Sequence, residues 1–436
     1  MSDTPTVQKA STENFAGYSE VRRRSWDCDV VVTAAAFLLV CTSWPASIVR
    51  AVERQEERQA KVAWETLQTQ AVVRYQHGDY AEGVHQAEGA LKAAEEAFGL
   101  DDPNTAASHH QLGQFYQALG KHAEAEHHYR EALTIREEKL GSSHPDVAES
   151  LRALGLLYAS EGQATDAAFM HLRAIDIFKK SKGVKHPDVA LSTCYLARAL
   201  QDQGYFSEAK PLYDQALRIW DEAGYKGTAV AQALLDLGLL YKAQREFASA
   251  ESYLRRALAA QEQLYGPGGA QVVQVMRELA SLYEKQGQYS EAFSWFRRVL
   301  EVKENALGHQ HLELVPYLMD VARLHVQLHQ FGAAETLYQR GLAIRRQALG
   351  ANHPDVAYSL TALAELYRQE GNPEKAEALY QQAVMIADKT LGPGHPVTIN
   401  MLRQRADLLK HAGHSTEAEG LEEEAAERSL GRARRR

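Results

Sequence analysis

The sequence predicts an all-α fold in which similar two-helix units are stacked into a solenoid. Strong helix formers such as Ala, Leu, Glu, Gln and Arg dominate the 436 residues, and no stretch alternates apolar with polar residues as a half-buried strand would. Glycines recur with a period of 42 residues, with one residue lost in the middle of the chain. One such series consists of Gly99, Gly141, Gly183, Gly266, Gly308, Gly350 and Gly392. A fixed period of this length is typical of repeat proteins.

The N-terminal part precedes the repeats. Residues 1–29 are polar and are predicted to form a disordered tail. Residues 30–49 contain no charged side chain over 20 positions, about the length that a membrane-crossing helix needs. We therefore predict a transmembrane or signal-anchor helix there, and a membrane-associated protein with a single-pass anchor. The flanking basic residues nearly balance, so the side of the membrane is left open.

Other interpretations of residues 30–49 stay open at this point. The segment also suits a cleaved signal sequence or a lipidated segment. A third interpretation is a helix packed against the solenoid, or a tail translated from a wrongly chosen start. These alternatives correspond to a secreted, periplasmic or cytoplasmic protein.

The next segment, residues 50–61, is highly charged and contains neither Gly nor Pro. We predict that it forms a linker helix that leads into the first repeat. The repeats are expected to occupy residues 62–430, and residues 431–436 form a short basic tail.

Each repeat is predicted to contain two helices. In the clearest copy, Asp146–Phe178, Leu151 and Leu154 have helical spacing and form the buried stripe of the first helix. Gly155 allows the partner helix to approach closely, and Gly162 provides the turn between the two helices.

The connectors between repeats share the pattern Gly-x-x-His-Pro-Asp, which occurs at 141–146, 183–188 and 350–355. Glycine supplies the turn after one helix, whereas Pro and Asp favour the start of the next. His-Pro is missing from the connector at residues 221–230, which reads DEAGYKGTAV, and from the one after Gly266, which reads PGGAQVV. We predict a change in the stacking angle there.

The repeats resemble the tetratricopeptide repeat. The pattern L-G/A-x-L-Y, then G-x-x-x-x-A, then Y-x-x-A-L is clear in Leu112–Leu133, Leu279–Leu300 and Leu363–Val384. The 42-residue length and the His-Pro connector are similar to the repeats of kinesin light chains and of bacterial proteins of that type. The resemblance implies a right-handed superhelix that ends in an acidic capping helix.

The resemblance also implies a concave groove lined by the first helix of each repeat. Carried over by position, the candidate groove residues are His110, Gln114, Arg152, Arg198, Lys242, Arg277, Arg323 and Arg368. Basic side chains outnumber acidic ones at groove positions although the net charge is −9, which favours an acidic peptide or protein partner. The same residues also suit ordinary solvated positions paired with neighbouring Glu, and the sequence leaves both interpretations open.

The sequence gives no sign of catalysis. It contains no nucleophile elbow, phosphate-binding loop or dinucleotide fingerprint, so we predict no catalytic residues, no cofactor and no enzyme. His325 and His329 have a metal-ligand spacing, with His311 upstream, but no Glu follows His325 as in metallopeptidases. We therefore predict packing roles and no metal site. The acidic net charge argues against a nucleic-acid partner.

Taken together, these features predict a non-enzymatic scaffold, tethered to a membrane, that binds a peptide or protein in its groove. A structural protein that assembles through its own solenoid surface is the alternative. The identity of the partner and the oligomeric state are not predicted.

Overall fold

The computed structural model describes the backbone of residues 46–433 and the side chains of residues 50–430. Within that part, the chain forms 18 α-helices, so the prediction of an all-α fold is confirmed there. The helices belong to two compact units, one ending at Ser142 and the other beginning at Ser143, which are described separately.

The first unit contains four helices: α1 (Ala46–His77), α2 (Tyr80–Phe98), α3 (Pro103–Ala118) and α4 (His122–Leu140). The second unit contains the remaining helices: α5 (Pro145–Ser160), α6 (Ala164–Lys182), α7 (Pro187–Asp202), α8 (Phe206–Glu222), α9 (Thr228–Ala243), α10 (Phe247–Tyr265), α11 (Ala270–Lys285), α12 (Tyr289–Leu307), α13 (Val315–Gln327), α14 (Phe331–Leu349), α15 (Pro354–Glu370), α16 (Pro373–Thr390), α17 (Pro396–His411) and α18 (Ser415–Ala433). A 3-10 turn, Leu312–Leu314, precedes α13.

The helices form consecutive pairs, and each pair is one repeat. Within each unit, an odd-numbered first helix packs on the even-numbered second helix that follows it, and that second helix packs on the next first helix. In the second unit, neighbouring first helices from α5 to α11 also touch one another. Among successive helices of this unit, α8 and α9 make the least extensive contact, at the connector that departs from the His-Pro pattern.

The buried residues of the first helix in a repeat are those of the predicted apolar stripe. In α5, Leu151 is fully buried and Leu154 is 2% exposed. A Cβ atom at Gly155 would lie 2.5 Å from the ring of His171 on α6, so only glycine permits this close approach. His171 itself is 1% exposed and fills the position that Tyr129 holds in the previous repeat.

The connector histidines cap the first helices. The Nδ1 atoms of His144, His186 and His353 accept hydrogen bonds from the backbone N–H two residues later, at 3.1–3.2 Å. His311 and His395 do the same at 3.3 Å. These bonds satisfy helix N–H groups that would otherwise lack a partner. The capping role of His was not predicted from the sequence, in which the turn and the helix start were assigned to Gly, Pro and Asp.

The predicted membrane anchor is not supported. Residues 30–45 lie outside the described residues, and residues 46–49 begin α1. From Arg50 onward α1 continues through the charged segment 50–61, so the predicted linker and the first repeat share one helix. No helix in the described part of the chain is long and apolar enough to cross a membrane. The prediction of a membrane-associated, single-pass location is therefore wrong.

Candidate protein-binding surface

All eight candidate groove residues lie on first helices. His110 and Gln114 are on α3 in the first unit, and the other six are on α5, α7, α9, α11, α13 and α15 in the second unit. His110 and Gln114 are both half-buried, and the ring of His110 lies 5.3 Å from that of Tyr129. The second unit therefore holds the basic candidates, and its first helices are the surface considered below.

Two of the basic candidates pair with acidic residues of the following repeat. Arg198 Nε donates to Asp236 Oδ2 at 3.1 Å, and Lys242 Nζ donates to Glu278 Oε2 at 2.7 Å. Lys242 is only 7% exposed, so its charge is neutralised within the fold. Burial opposes the charge of Arg198, but attraction to Asp236 and their hydrogen bonds outweigh it and raise the pKa of Arg198.

Arg152 on α5 is held by two carboxylates. It forms an ion pair with Glu149 on its own helix, and its Nη1 lies 3.6 Å from Asp188 Oδ1 on α7. Its guanidinium also lies 5.5 Å from the ring of Phe178. Because the side chain is 16% exposed, Arg152 is mainly a link between two repeats.

Arg277 and Arg323 have the most exposed side chains of the six basic candidates, and each is more exposed than its carboxylate partner. Arg277 Nη2 lies 3.4 Å from Asp320 Oδ2, and the exposed fractions of the two side chains are 48% and 22%. Arg323 Nη2 donates to Glu284 Oε2 at 3.1 Å, with exposed fractions of 41% and 26%. The Arg277 guanidinium also lies 5.5 Å from the ring of Tyr317. In both pairs the arginine is therefore the more exposed member.

Burial acts on the charges of this group. It raises the pKa of Asp320, although Arg277 opposes the shift by charge attraction and a hydrogen bond. It lowers the pKa of Arg323, against a smaller attraction to Tyr338. Both shifts express the cost of keeping a charge in a partly desolvated place.

Arg368 on α15 does not join this group. Its Nε donates to Glu365 Oε2 at 2.7 Å, three residues earlier on the same helix. Glu365 also accepts a hydrogen bond from Tyr380 at 3.3 Å. Burial disfavours the charge of Glu365, but the hydrogen bonds and the charge of Arg368 lower its pKa overall. The pair is therefore local to one repeat.

A cleft of about 460 Å³ lies between α11, α12 and α13. It is lined by the two exposed arginines with Asp320 and Glu284, by Lys303, and by Phe296 and Tyr317, among others. The structure therefore brings Arg277 and Arg323 to one site and leaves the other candidates outside it.

Sequence reasoning missed the acidic partners. Asp236, Glu278 and Asp320 follow one another at intervals of 42 residues, so they occupy the same position in three successive repeats. This regular spacing was the signal in the sequence that could have indicated acidic residues at one shared position. The spacing alone does not show which basic residue each carboxylate pairs with, because the partners lie 36 to 43 residues apart in the chain.

His325 and His329 contact neighbouring side chains in the structure. His325 Nδ1 is 2.7 Å from Gln330 Oε1, and its ring lies 4.7 Å from that of Phe293. His329 has a φ of 57° in the turn where other repeats have glycine. Within the described residues, no group of three or more His, Cys, Asp or Glu side chains is arranged to hold a metal ion.

One histidine contact was not predicted. The Nδ1 atoms of His109 on α3 and His128 on α4 are 2.9 Å apart, so one ring donates to the other. Burial, with further repulsion from neighbouring histidines, lowers the pKa of each ring from 6.5 to about 4. Both rings are therefore neutral at pH 7.

Comparison with known proteins agrees with this architecture. The family model of the tetratricopeptide repeat matches eight overlapping segments: 65–138, 107–180, 146–222, 188–263, 229–305, 271–347, 314–389 and 356–430. The search of curated proteins found no match.

Similar solved structures include the apo form of the quorum sensor NprR from B. thuringiensis. It is 14% identical, with a TM-score of 0.51, over 85% of this chain and 99% of that one, and this likeness supports the fold alone. Kinesin light chain TPR-like repeats from Podosopora anserina are 24% identical, with a TM-score of 0.41, over 47% of this chain and 96% of that one. BtubC from P. vanneervenii is 20% identical, with a TM-score of 0.41, over 57% of this chain and 94% of that one.

Proposed function

Because this chain belongs to the tetratricopeptide repeat family, we propose that it is a non-enzymatic scaffold that binds a protein or peptide partner on its first helices. We place the binding site in the cleft between α11, α12 and α13. The observation that carries this proposal is that Arg277 and Arg323 both line that cleft and are each more exposed than the carboxylate partner beside them.

The exposed arginines favour an acidic partner. A guanidinium has five N–H donors, and one carboxylate uses at most two of them in a bidentate pair. Asp320 and Glu284 therefore leave donors of Arg277 and Arg323 available for a second carboxylate. The partner segment we propose is extended and carries Asp or Glu side chains.

The internal ion pairs also hold the arginines in place. Arg277 lies against Tyr317 as well as Asp320, and Arg323 contacts Asp320 in addition to Glu284. Side chains that are already ordered lose less rotamer entropy on binding. A preorganised cleft of this kind supports the binding of a peptide through several contacts of modest strength.

Fluorescence polarisation with a labelled penta-glutamate peptide tests the proposal on the full chain. We expect Arg277→Gln with Arg323→Gln to weaken binding about tenfold or more, since two charge-assisted contacts are lost. Arg297→Gln, on the exposed face of α12 outside the cleft, is the matched control and should leave binding unchanged. The proposal fails if the double variant, folded by circular dichroism, binds the peptide as the unaltered protein does.

A second candidate function is self-assembly. Phe169 and Leu172 on α6 are 62% and 54% exposed and lie three residues apart on one helix, which favours a contact with another apolar surface. If assembly is the function, light scattering without any ligand should show oligomers that increase with concentration. Phe169→Glu should dissociate these oligomers, whereas Arg277→Gln with Arg323→Gln should not.

A further inference from the structure

A second cavity, of about 290 Å³, lies at the connector that joins α8 to α9. Its walls come from the end of α8, from residues 224–227, from the first turn of α9 and from α10. It uses second helices and a connector, so it is separate from the cleft between α11, α12 and α13. Nothing in the proposed function requires it.

Aromatic side chains form one wall of this cavity. Trp220 is 1% exposed, and its ring stacks on that of Tyr225 at 6.2 Å with an angle of 28° between the planes. Tyr225 is 42% exposed, and Leu264 of α10, which also lines the cavity, is 41% exposed. A buried aromatic floor with exposed apolar edges favours an aromatic ligand, because offset ring stacking adds to apolar burial.

The cations at the cavity are not paired with acidic residues. Lys226 and Arg256 both line it, both are exposed, and neither forms an ion pair with any residue that the structure describes. The guanidinium of Arg256 lies 5.4 Å from the centre of the ring of Tyr253. Asp221 is the one acidic residue on the wall of this cavity.

These charges differ from those at the first-helix surface, where each basic candidate of the second unit has a carboxylate partner. Two uncompensated cations beside an apolar cavity attract an anion. Gly227, the residue that precedes α9, has no side chain to cap that helix, which leaves the positive end of the helix dipole open on the same wall.

We propose that this cavity binds a small aromatic carboxylate as a free molecule. The aromatic ring packs against Tyr225 and Leu264, and the carboxylate contacts Lys226 and Arg256. The cavity volume is at the lower end of the range for small-molecule pockets, so the ligand has a single ring system and a short acid chain.

Isothermal titration calorimetry of the full chain tests this proposal with 3-phenylpropionate as the probe. Its neutral amide, 3-phenylpropionamide, has the same ring and chain. We expect the carboxylate to bind and the amide to bind about tenfold more weakly or not at all. Equal affinities for the two compounds, or no heat from the carboxylate at concentrations up to about 10 mM, would overturn the proposal.

Substitutions at the cavity test whether the probe binds there. We expect Lys226→Gln with Arg256→Gln to reduce carboxylate affinity about tenfold, and Leu264→Glu to abolish binding by placing a like charge on the wall. Arg218→Gln, an exposed cation of α8 that does not line the cavity, should bind as the unaltered protein does. Circular dichroism confirms that each variant is folded. Unchanged affinity in both the double variant and Leu264→Glu shows that the probe binds elsewhere and refutes the site.

Discussion

The repeats with a His-Pro connector differ from the two repeats whose connector ends in Gly227 or Gly269 in how their first helix begins. Where His-Pro is present, the histidine caps the next first helix and the proline begins it. Gly227 and Gly269 precede α9 and α11 instead, and no side chain caps either of these helices. The two cavities described above lie at these two helices, since Val230 lines one and Ala270 the other.

The His-Pro connectors therefore stabilise the start of the next first helix, whereas the connectors that end in Gly227 and Gly269 lie beside cavities. A capping side chain and a proline ring hold the chain in one path at the start of a helix. At Gly269 a Cβ atom would lie 2.7 Å from Cβ of Tyr265, so the chain there follows a tighter path that only glycine allows. The following predictions test this division, from the largest expected effect to the smallest.

Leu151→Ala tests the regular core. Leu151 is fully buried, so its truncation should cost about 2–5 kcal/mol in the free energy of unfolding. Leu264→Ala, at the edge of the second cavity and 41% exposed, should cost less than about 1 kcal/mol. Urea denaturation followed by circular dichroism measures both. Similar losses would mean that the two regions do not differ in packing.

Acid should weaken the regular repeat that contains His171. Burial, with a smaller contribution from Arg152, lowers the pKa of His171 from 6.5 to about 4. The folded state therefore favours the neutral ring, and this stability is fully present above pH 6.5. It is lost as the pH falls from 6.5 towards 4, by an amount on the order of 2–3 kcal/mol.

His171→Phe should remove most of this pH dependence, because Phe296 fills the same position in the repeat formed by α11 and α12. His309→Phe, at a side chain that is 75% exposed, is the control. Thermal unfolding measured at several pH values compares them. A variant at position 171 that loses stability in acid as the unaltered protein does would contradict the assignment.

His353→Ala removes one helix cap from a regular connector. Loss of the acceptor for the N–H of Asp355 should cost about 1 kcal/mol of stability. In the reverse experiment, Gly227→Asn adds a cap where none exists and should gain a few tenths of a kcal/mol. If His353→Ala leaves the midpoint of urea denaturation unchanged, the cap does not stabilise the regular repeats.

Arg245→Gly should give the smallest effect. Arg245 has a φ of 62° in the turn between α9 and α10, where most repeats have glycine. Relief of the left-handed strain should exceed the added chain entropy and stabilise the fold by about 0.5–1 kcal/mol. Gly204→Ala, in the corresponding turn of the previous repeat with a φ of 83°, should have the opposite sign. Denaturation midpoints that move in the same direction would refute this explanation.

Much of the fold could be predicted because the repeat is a local property of the chain. The all-α class, the two-helix repeat and the family were predicted and are confirmed. The candidate groove residues were placed on first helices by their position in the repeat, and the structure has them there. Their role in binding stays a prediction. The membrane location was wrong, because no helix in the described part of the chain is long and apolar enough to cross a membrane.

By itself, the sequence determined where helices end and where they turn. Glycines with positive φ, such as Gly162, and the connector pattern act over a few residues, so their effect can be read from the chain. The tertiary structure alone decided which charges meet. Arg198 reaches Asp236 and Arg323 reaches Glu284 across almost one whole repeat, whereas Lys226 and Arg256 reach no carboxylate among the described residues. The reason is that ion pairing depends on the stacking of helices, which one repeat does not specify for the next.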